Sequence, residues 1–202
     1  MPTLVFGSPL ILMPDSPSAP ATVEWSAIDT VATSQSPFTG QQQTQNWQGS
    51  WMEGSISLPP MVHARACPWV AFLLSAQGQS AVFQFGDPLA RVPQGTAAGS
   101  IVVNGGGQAG YVLNVSGGTG AGCLLPGDWI QIGYRLYRNL GTYNGGAAAL
   151  DIWPQIRESP LTASAVVTSN TKGLFRLKSN ARKWSINAAR HYGISFDIRE
   201  AI

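Results

Sequence analysis

The stretch Ser36-Pro-Phe-Thr-Gly-Gln-Gln-Gln-Thr-Gln-Asn-Trp-Gln-Gly-Ser-Trp-Met-Glu-Gly-Ser-Ile-Ser-Leu-Pro-Pro60 decides the fold class of this chain. It opens with a turn, because Pro37 presets φ and Gly40 supplies a permissive position. Residues 45–58 then alternate as a β-strand does, with tryptophans on one parity and aliphatic side chains on the other. The change of parity within the run predicts a bulge or a strand covered on both faces.

Short strands separated by turns continue along the rest of the chain. The glycine-rich segment 105–110 joins two β-branched runs and predicts a hairpin. A Pro-Gly-Asp turn precedes the strand Trp129–Ile132, and the strand 148–156 is expected to end at Pro154. Some ten or eleven such strands with regular turns predict a mainly β protein, a β-sandwich or barrel of about ten short strands with one helix.

The single helix is predicted over Met61–Gln77, where apolar residues approximate one helical stripe. Pro68 lies inside the pattern and is expected either to start the helix or to kink it. Gly78 is a natural end for it. Residues 1–202 are read as one all-β domain, with residues 1–35 as an N-terminal arm or edge-strand extension.

Composition favours a subunit over a free monomer. Charged residues make up only 11% of the chain, against roughly 25% in an average protein. A surface so poor in charge fits a protein that is largely covered by its neighbours. A monomer with long uncharged polar loops is the alternative.

Charge is unevenly distributed along the sequence. Residues 1–62 hold four acidic residues and no Lys or Arg, whereas residues 157–202 hold eight basic and three acidic residues. The two ends can therefore complement one another within a fold or between copies in a ring. The basic residues form no dense run and lie in no nucleic-acid-binding motif, so the tail does not predict nucleic-acid binding.

The cysteines and the apolar segments indicate a protein made in a reducing cytosol. Cys67 and Cys123 are too few for a disulfide framework, and free thiols are expected. The run Leu10–Met13 is short and follows no basic residue, so it does not predict a signal peptide. No run approaches the roughly 20 apolar residues of a membrane span, and no membrane insertion is expected.

The motifs that could carry catalysis have simpler structural interpretations. The pattern Gly105-x-Gly107-x-x-Gly110 matches a dinucleotide fingerprint, but no helix follows to bind a phosphate. Ser195 lies in half of a nucleophile elbow that lacks the second glycine. Asp128 and Asp151 could be imagined as paired carboxylates, but Asp128 sits in a turn where it most simply binds local backbone. No catalytic and no cofactor-binding residue is predicted.

Histidines could bind a metal and tryptophans could bind a sugar. His63 and His191 have no acidic companion at metal-ligand spacing, and a pair with either cysteine offers too few ligands, so no metal site is predicted. The tryptophans could form a carbohydrate platform, but such residues more often fill a core or a subunit interface. The seven tryptophans are Trp25, Trp47, Trp51, Trp69, Trp129, Trp153 and Trp184.

Several segments together resemble the distal tail or baseplate-ring proteins of long-tailed, siphovirus-type bacteriophages and prophages. The resemblance spans most of residues 36–202 and is carried by the combination rather than by any one piece. The segments are the Ser36–Gly40 turn with its Trp-rich strand, Ala71–Ser75, Phe85–Leu89, Gly127–Gly133, Leu150–Pro154 and Lys172–Leu177.

The resemblance implies a structural virion protein without enzymatic activity. Copies would form a ring, commonly of six, at the far end of the tail tube. One face would dock on the tail tube protein and the other would carry the tail hub, further baseplate proteins and the receptor-binding parts. The lumen would stay open for DNA and the tape-measure protein. The protein would be made in the host cytoplasm and reside in the phage tail.

Strand-rich subunits can assemble by continuing a sheet across neighbours. We therefore expect the Gln41–Ser57 strand and the basic tail to meet across subunits. The expected interface residues are Trp47, Trp51, Arg176, Lys178, Arg182 and Lys183.

Two other function classes remain open at this point. A carbohydrate-binding β-sandwich module of a phage fibre or baseplate predicts a monomer with an exposed aromatic cluster. A small glycan hydrolase requires two carboxylates that face each other across a cleft, and the ten acidic residues form no such pair in the sequence.

Overall fold

The computed structural model describes residues 3–15 and 19–202, and for Gln48 the backbone alone. Residues 1, 2 and 16–18, which belong to the predicted N-terminal arm, lie outside the described residues. Fourteen strands and one α-helix make up the described chain. The strands are β1 (Leu4–Val5), β2 (Ser8–Ile11), β3 (Thr22–Gln35), β4 (Gln42–Ser57), β5 (Val82–Phe85), β6 (Ile101–Val103), β7 (Gly110–Gly117), β8 (Trp129–Ile132), β9 (Arg135–Asn139), β10 (Ala148–Ile156), β11 (Ala165–Val167), β12 (Gly173–Leu177), β13 (Trp184–Ile186) and β14 (Tyr192–Glu200), and the helix is α1 (His63–Ser75).

The strands form two bodies, a curled sheet and a small closed barrel. The sheet has the order β1-β2-β5-β12-β14-β4-β3, with β13 paired to β14 off this path. All of its pairs are antiparallel except β2 with β5. The mainly β fold with one helix is confirmed, with sheet and barrel combined in one chain.

Helix α1 packs on one face of the sheet. It buries Ala66, Trp69, Phe72 and Leu73 against apolar side chains of β4, β5, β12 and β14. Pro68 neither starts the helix nor ends it. It lies in the second turn, where its missing N–H removes one backbone hydrogen bond. The helix ends at Ser75, two residues before the predicted boundary.

The barrel is inserted into the sheet between two neighbouring strands. Its six strands close in the order β10-β7-β6-β11-β8-β9 around a core of aliphatic residues, Cys123, Tyr137 and Tyr143. The chain leaves the sheet after β5 and returns in β12, which pairs with β5 through Gly173 and Phe85. Closure pairs every strand of the barrel on both sides, so the barrel offers no free edge.

Two of the local predictions are settled within these strands. The segment 105–110 joins the antiparallel strands β6 and β7, so the predicted hairpin is confirmed. The strand predicted over 148–156 is confirmed as β10, but it does not end at Pro154 and continues to Ile156. The register of β10 against β7 shifts between Asp151 and Ile156. The missing N–H of Pro154 is thereby accommodated at an irregularity of the ladder.

The barrel and the sheet share part of their interior. Trp129 and Leu136 of the barrel belong to the core cluster beneath α1. The Trp129 ring lies 5.6 Å from that of Trp25 on β3, and its indole nitrogen donates to Asp87 at 3.1 Å. The guanidinium group of Arg138 also stacks on the Trp129 ring, with its carbon 3.8 Å from the ring centre.

A buried charge cluster also lies at this junction. Glu200, 6% exposed, accepts the backbone N–H of Met52 at 3.1 Å and lies 3.9 Å from a guanidinium nitrogen of Arg157. Burial raises the pKa of the Glu200 carboxyl, and Arg157, the Met52 N–H and Arg135 counteract part of the rise. Burial likewise raises the pKa of the Tyr137 phenol to about 12.

Candidate assembly interface

Strands β3 and β4 project beyond the rest of the sheet as a two-stranded ribbon, which we define as residues 29–46. Every residue of the ribbon except Ser36 is exposed. Phe38 at its tip is 95% exposed and Val31 is 48% exposed. No charged residue occurs from Thr30 to Met52. An isolated two-stranded ribbon has marginal stability in water. Contact with a partner would therefore stabilise this one.

The local sequence explains where the ribbon departs from the sheet. Asp29 is opposite Ser50, whereas Val31 is opposite Asn46, so the register shifts between these pairs. The extra residues belong to β4 and include Trp47 and Gly49. The predicted bulge is confirmed at this position. Bulges of this kind twist a ribbon and change its direction.

The outer edge of β3 is free along its whole length. In the part of the chain that the structure describes, β3 pairs with β4 and with no other strand. It is 14 residues long. Proteins usually blunt so long an edge with charge or proline, because its unpaired backbone groups can bind a strand from another chain. The six residues Thr30–Gln35 contain neither.

Three of the expected interface residues meet on the sheet face opposite α1, which we call the outer face. Lys178 places its ammonium nitrogen 2.7 Å from the Glu53 carboxylate. The Trp51 indole nitrogen donates to Glu53 at 3.1 Å. Arg176 stands in register with Arg199 across β12 and β14. These contacts are all within one chain.

The hydrogen bond from Lys178 is the main reason that the pKa of Glu53 lies below its ordinary value of 4.5. Burial opposes this shift, while the bond from Trp51 and the charges of Lys178 and Arg199 support it. The Arg199 guanidinium also lies over the Trp51 ring, 4.4 Å from its centre. The outer face is therefore an ordered network rather than a set of loose surface charges.

The other three expected interface residues lie apart from this network. Trp47 stands at the bulge and is 54% exposed. Arg182 and Lys183 lie in the loop that precedes β13, and Arg182 donates to the Leu74 carbonyl at the end of α1 at 3.4 Å. The structure thus divides the six residues between the outer face, the bulge and the β13 loop.

Strand β13 exposes apolar side chains next to the expected interface residues Arg182 and Lys183. Its three residues are all exposed, with Trp184 at 39% and Ile186 at 59%. Two exposed apolar residues on so short a strand mark a contact surface. The signal in the sequence was Trp184-Ser-Ile186 directly after two basic residues.

Of the residues that could be imagined as catalytic, Asp128 has a structural role. The Asp128 carboxylate accepts backbone N–H groups of Gln94 at 2.7 Å, Leu125 at 2.8 Å and Gly95 at 3.2 Å. The interpretation of Asp128 as a backbone-binding turn residue is confirmed. Asp151 is an exposed residue of β10, and Ser195 pairs with Ser57 in the ladder of β14 and β4.

One histidine does meet a cysteine, but not in a ligand geometry. The His63 Nδ1 atom lies 2.9 Å from the Tyr192 hydroxyl. Cys67 Sγ is 3.6 Å from Nδ1 and 3.4 Å from Nε2 of the same ring. A sulfur that is nearly equidistant from both nitrogens lies over the ring face and away from their lone pairs. No group of three or more His, Cys, Asp or Glu that could hold a metal occurs among the described residues.

Most tryptophans are engaged inside the protein. Trp69 and Trp129 are 2% and 4% exposed, and Trp25 packs at 5.6 Å on Phe85, Trp129 and Phe175. The Trp153 indole donates to Asp29 at 2.9 Å and so ties the barrel to the base of the ribbon. The rings of Trp25, Trp69 and Trp129 are therefore occupied by core contacts, whereas Trp153 is half-buried.

No protein-family model matches the chain, and no curated protein is significantly similar to it. None of the helices in residues 3–15 and 19–202 is long and apolar enough to cross a membrane.

Proposed function

We propose that this chain is a structural subunit of a phage tail, which forms a homo-oligomeric ring at the distal end of the tail tube. The ring would join the tube to the hub and the receptor-binding apparatus, and its lumen would let DNA and the tape-measure protein pass. The single observation that carries the proposal is the free 14-residue edge of β3, which is uncharged from Thr30 to its end. The resemblance of residues 36–202 to distal tail proteins supplies its place in the tail.

The free edge favours assembly over life as a monomer. Strand addition satisfies backbone groups that water alone would otherwise solvate, and it fixes the orientation of the partner. The ribbon contains no lysine, and its one proline, Pro37, lies in the turn at the tip. The residues that prevent such pairing in monomeric β proteins are therefore missing from Thr30–Gln35 of β3. The closed barrel offers no edge of its own, and the other edge strands β1 and β13 are two and three residues long, so β3 is the long edge at which the sheet can grow.

The lack of basic residues in the ribbon also suits a ring with an open lumen. A passage for DNA has to avoid binding the phosphate backbone, and phosphate contacts come chiefly from Lys and Arg. The first 62 residues contain neither. A ribbon of Gln, Asn, Ser and Thr presents polar groups to water without attracting DNA.

The mass and shape of the purified protein test the proposal. We expect light scattering to give a closed oligomer and negative-stain imaging to show a ring with a central hole. Immunogold labelling of intact virions is expected at the distal end of the tail. A protein that stays monomeric alone and with isolated tail tubes, and that binds a glycan array, would instead be a carbohydrate-binding module.

A further inference from the structure

A second free strand edge exists on this molecule, and it faces away from the edge of β3. The Leu58 N–H donates to the Ile194 carbonyl at 2.9 Å and the Met61 N–H to the Tyr192 carbonyl at 3.1 Å, so one side of β14 is bonded to the chain that continues β4. β13 occupies the other side of the same residues of β14. Among the described residues β13 has no further strand partner. The free edges of β3 and β13 therefore lie on opposite sides of the sheet, and the two-residue β1 is the remaining edge strand.

The β13 edge is apolar at its centre and basic around it. Trp184 and Ile186 are exposed, as described above. Residues 178–190 contain four basic residues and no acidic one. Lys178 is held by Glu53 within the chain. Lys183 and Arg190 are exposed on either side of β13, and Arg182, which donates to the Leu74 carbonyl, is half-buried beside Lys183.

The β3 edge carries the opposite charge. Its two charged residues are Glu24 and Asp29. Glu24 is exposed, and Asp29 accepts the Trp153 indole N–H while remaining at the surface. Between them Ser26 and Ala27 are exposed and Ile28 is half-buried, whereas Trp25 packs into the core. Basic groups around a short apolar strand thus match acidic groups around a longer one.

We propose that β13 of one copy adds to the free edge of β3 of the next copy, between Glu24 and Asp29. This inference rests on the proposed ring function and names the contact that builds the ring. The contact is heterologous, because each copy uses a different edge on either side, and such contacts propagate until they close. A three-residue strand adds few hydrogen bonds, so the charges supply direction and register.

Cross-linking between two differently marked proteins tests the contact. Both proteins carry Cys67→Ser to remove the exposed thiol, while Cys123 is buried. One protein adds Ser26→Cys on β3, and the other adds Ala188→Cys just after β13. A short bismaleimide reagent should join them into a heterodimer in several-fold higher yield than a control pair, in which Arg65→Cys on α1 replaces Ala188→Cys. Equal yields from the two pairs would overturn the proposal.

Charge exchange provides the second arm. Arg182→Glu with Lys183→Glu should weaken assembly by about tenfold or more, and Glu24→Lys added to the same chain should restore part of the loss. The control is Arg65→Glu, an exposed reversal on α1 that should change nothing. No rescue by Glu24→Lys, or an undiminished assembly of the reversed variant, contradicts the β13 contact.

The two arms separate this inference from the proposed function. If the wild type and the Arg182→Glu, Lys183→Glu variant form rings equally well, the proposed ring function is supported and the β13 contact is rejected. Specific cross-linking without any closed ring, in the wild type alone or on tail tubes, would retain the contact and reject the ring. If the wild-type protein shows neither specific cross-linking nor a closed ring, both the β13 contact and the ring function are rejected.

Discussion

Lys178 and Glu53 form an ion pair with a nitrogen–oxygen distance of 2.7 Å that bridges the two ends of the sequence across the middle of the sheet. Lys178 directly follows β12 and Glu53 lies on β4, with β14 between them. Arg199 of that middle strand approaches the same carboxylate at 3.7 Å. The acidic N-terminal part and the basic tail therefore complement each other first within one subunit.

Lys178→Met is expected to lower the free energy of unfolding by about 1 kcal/mol, since the lysine is half-exposed and water screens part of its attraction. Because the pKa of Glu53 is lowered in the folded state, its contribution is present above pH 4.5 and is lost as the pH falls through the folded-state value. Urea unfolding between pH 3 and 7, as a rough range, measures this. Glu53→Gln should flatten that acid limb, and Lys172→Met is the control that should leave it intact.

Glu200 titrates with the opposite sign. Its pKa is raised in the folded state, so the neutral carboxyl favours the fold, and stability falls as the pH rises from about 4.5 through the folded-state value. Glu200→Gln removes this titration. The variant should therefore gain stability relative to the wild type over that window, by at most about 1.4 kcal/mol per pH unit. Parallel profiles for the two proteins would contradict the assignment, and Glu53→Gln serves as a comparison because it acts below pH 4.5.

Gly173→Ala is expected to destabilise the contact between barrel and sheet. A Cβ at this position would lie 2.8 Å from Leu136 Cβ and 3.2 Å from the Phe175 ring. Overpacking of this kind costs about 1–3 kcal/mol. Gly141→Ala is the matched control, because a Cβ there meets nothing within 4 Å. The denaturant midpoint of Gly173→Ala should be lower than that of Gly141→Ala. Equal midpoints would mean that the barrel moves away from the added methyl group without loss of stability.

Val31→Lys should block assembly while leaving the melting temperature of the subunit unchanged. The substitution puts a charge on the free edge strand, which is how natural β proteins prevent strand addition. Val112→Lys is the matched control, since both valines are exposed strand residues, at 48% and 43%, and Val112 belongs to the closed barrel. Light scattering compares the two, and a Val31→Lys protein that still forms wild-type oligomers would remove the ribbon part of the β3 edge from the interface.

Local patterns in the sequence were sufficient to predict the elements but not their arrangement. The apolar stripe of 61–77 predicts α1, and the parity change near Trp47 predicts the bulge, because each is set by residues a few positions apart. Gly173 pairs with Phe85 although the whole segment 86–172 lies between them in the sequence. A local periodicity of the sequence cannot predict a strand partner so far away. The strand count also exceeded the expected ten or eleven, because pieces as short as Leu4–Val5 owe their conformation to tertiary pairing.

The arrangement of the six expected interface residues was predictable only in part, for a related reason. Trp51, Arg176 and Lys178 were chosen for their residue types, and the structure brings them together because β4, β12 and β14 are neighbours. Whether a strand edge is free depends on which strands lie beside it. The exposure of Trp184 and the openness of β3 therefore follow from topology rather than from local sequence.

The route of the chain through the barrel has a consequence for how such a protein can diversify. Phe85 and Gly173 are ladder partners, so the points where the chain leaves and rejoins the sheet are about 5 Å apart. A module attached at two adjacent points can be exchanged for another without re-threading its host. The indole of Trp129 and the side chain of Leu136 limit that freedom, because any substitute must refill the space that they occupy beneath α1.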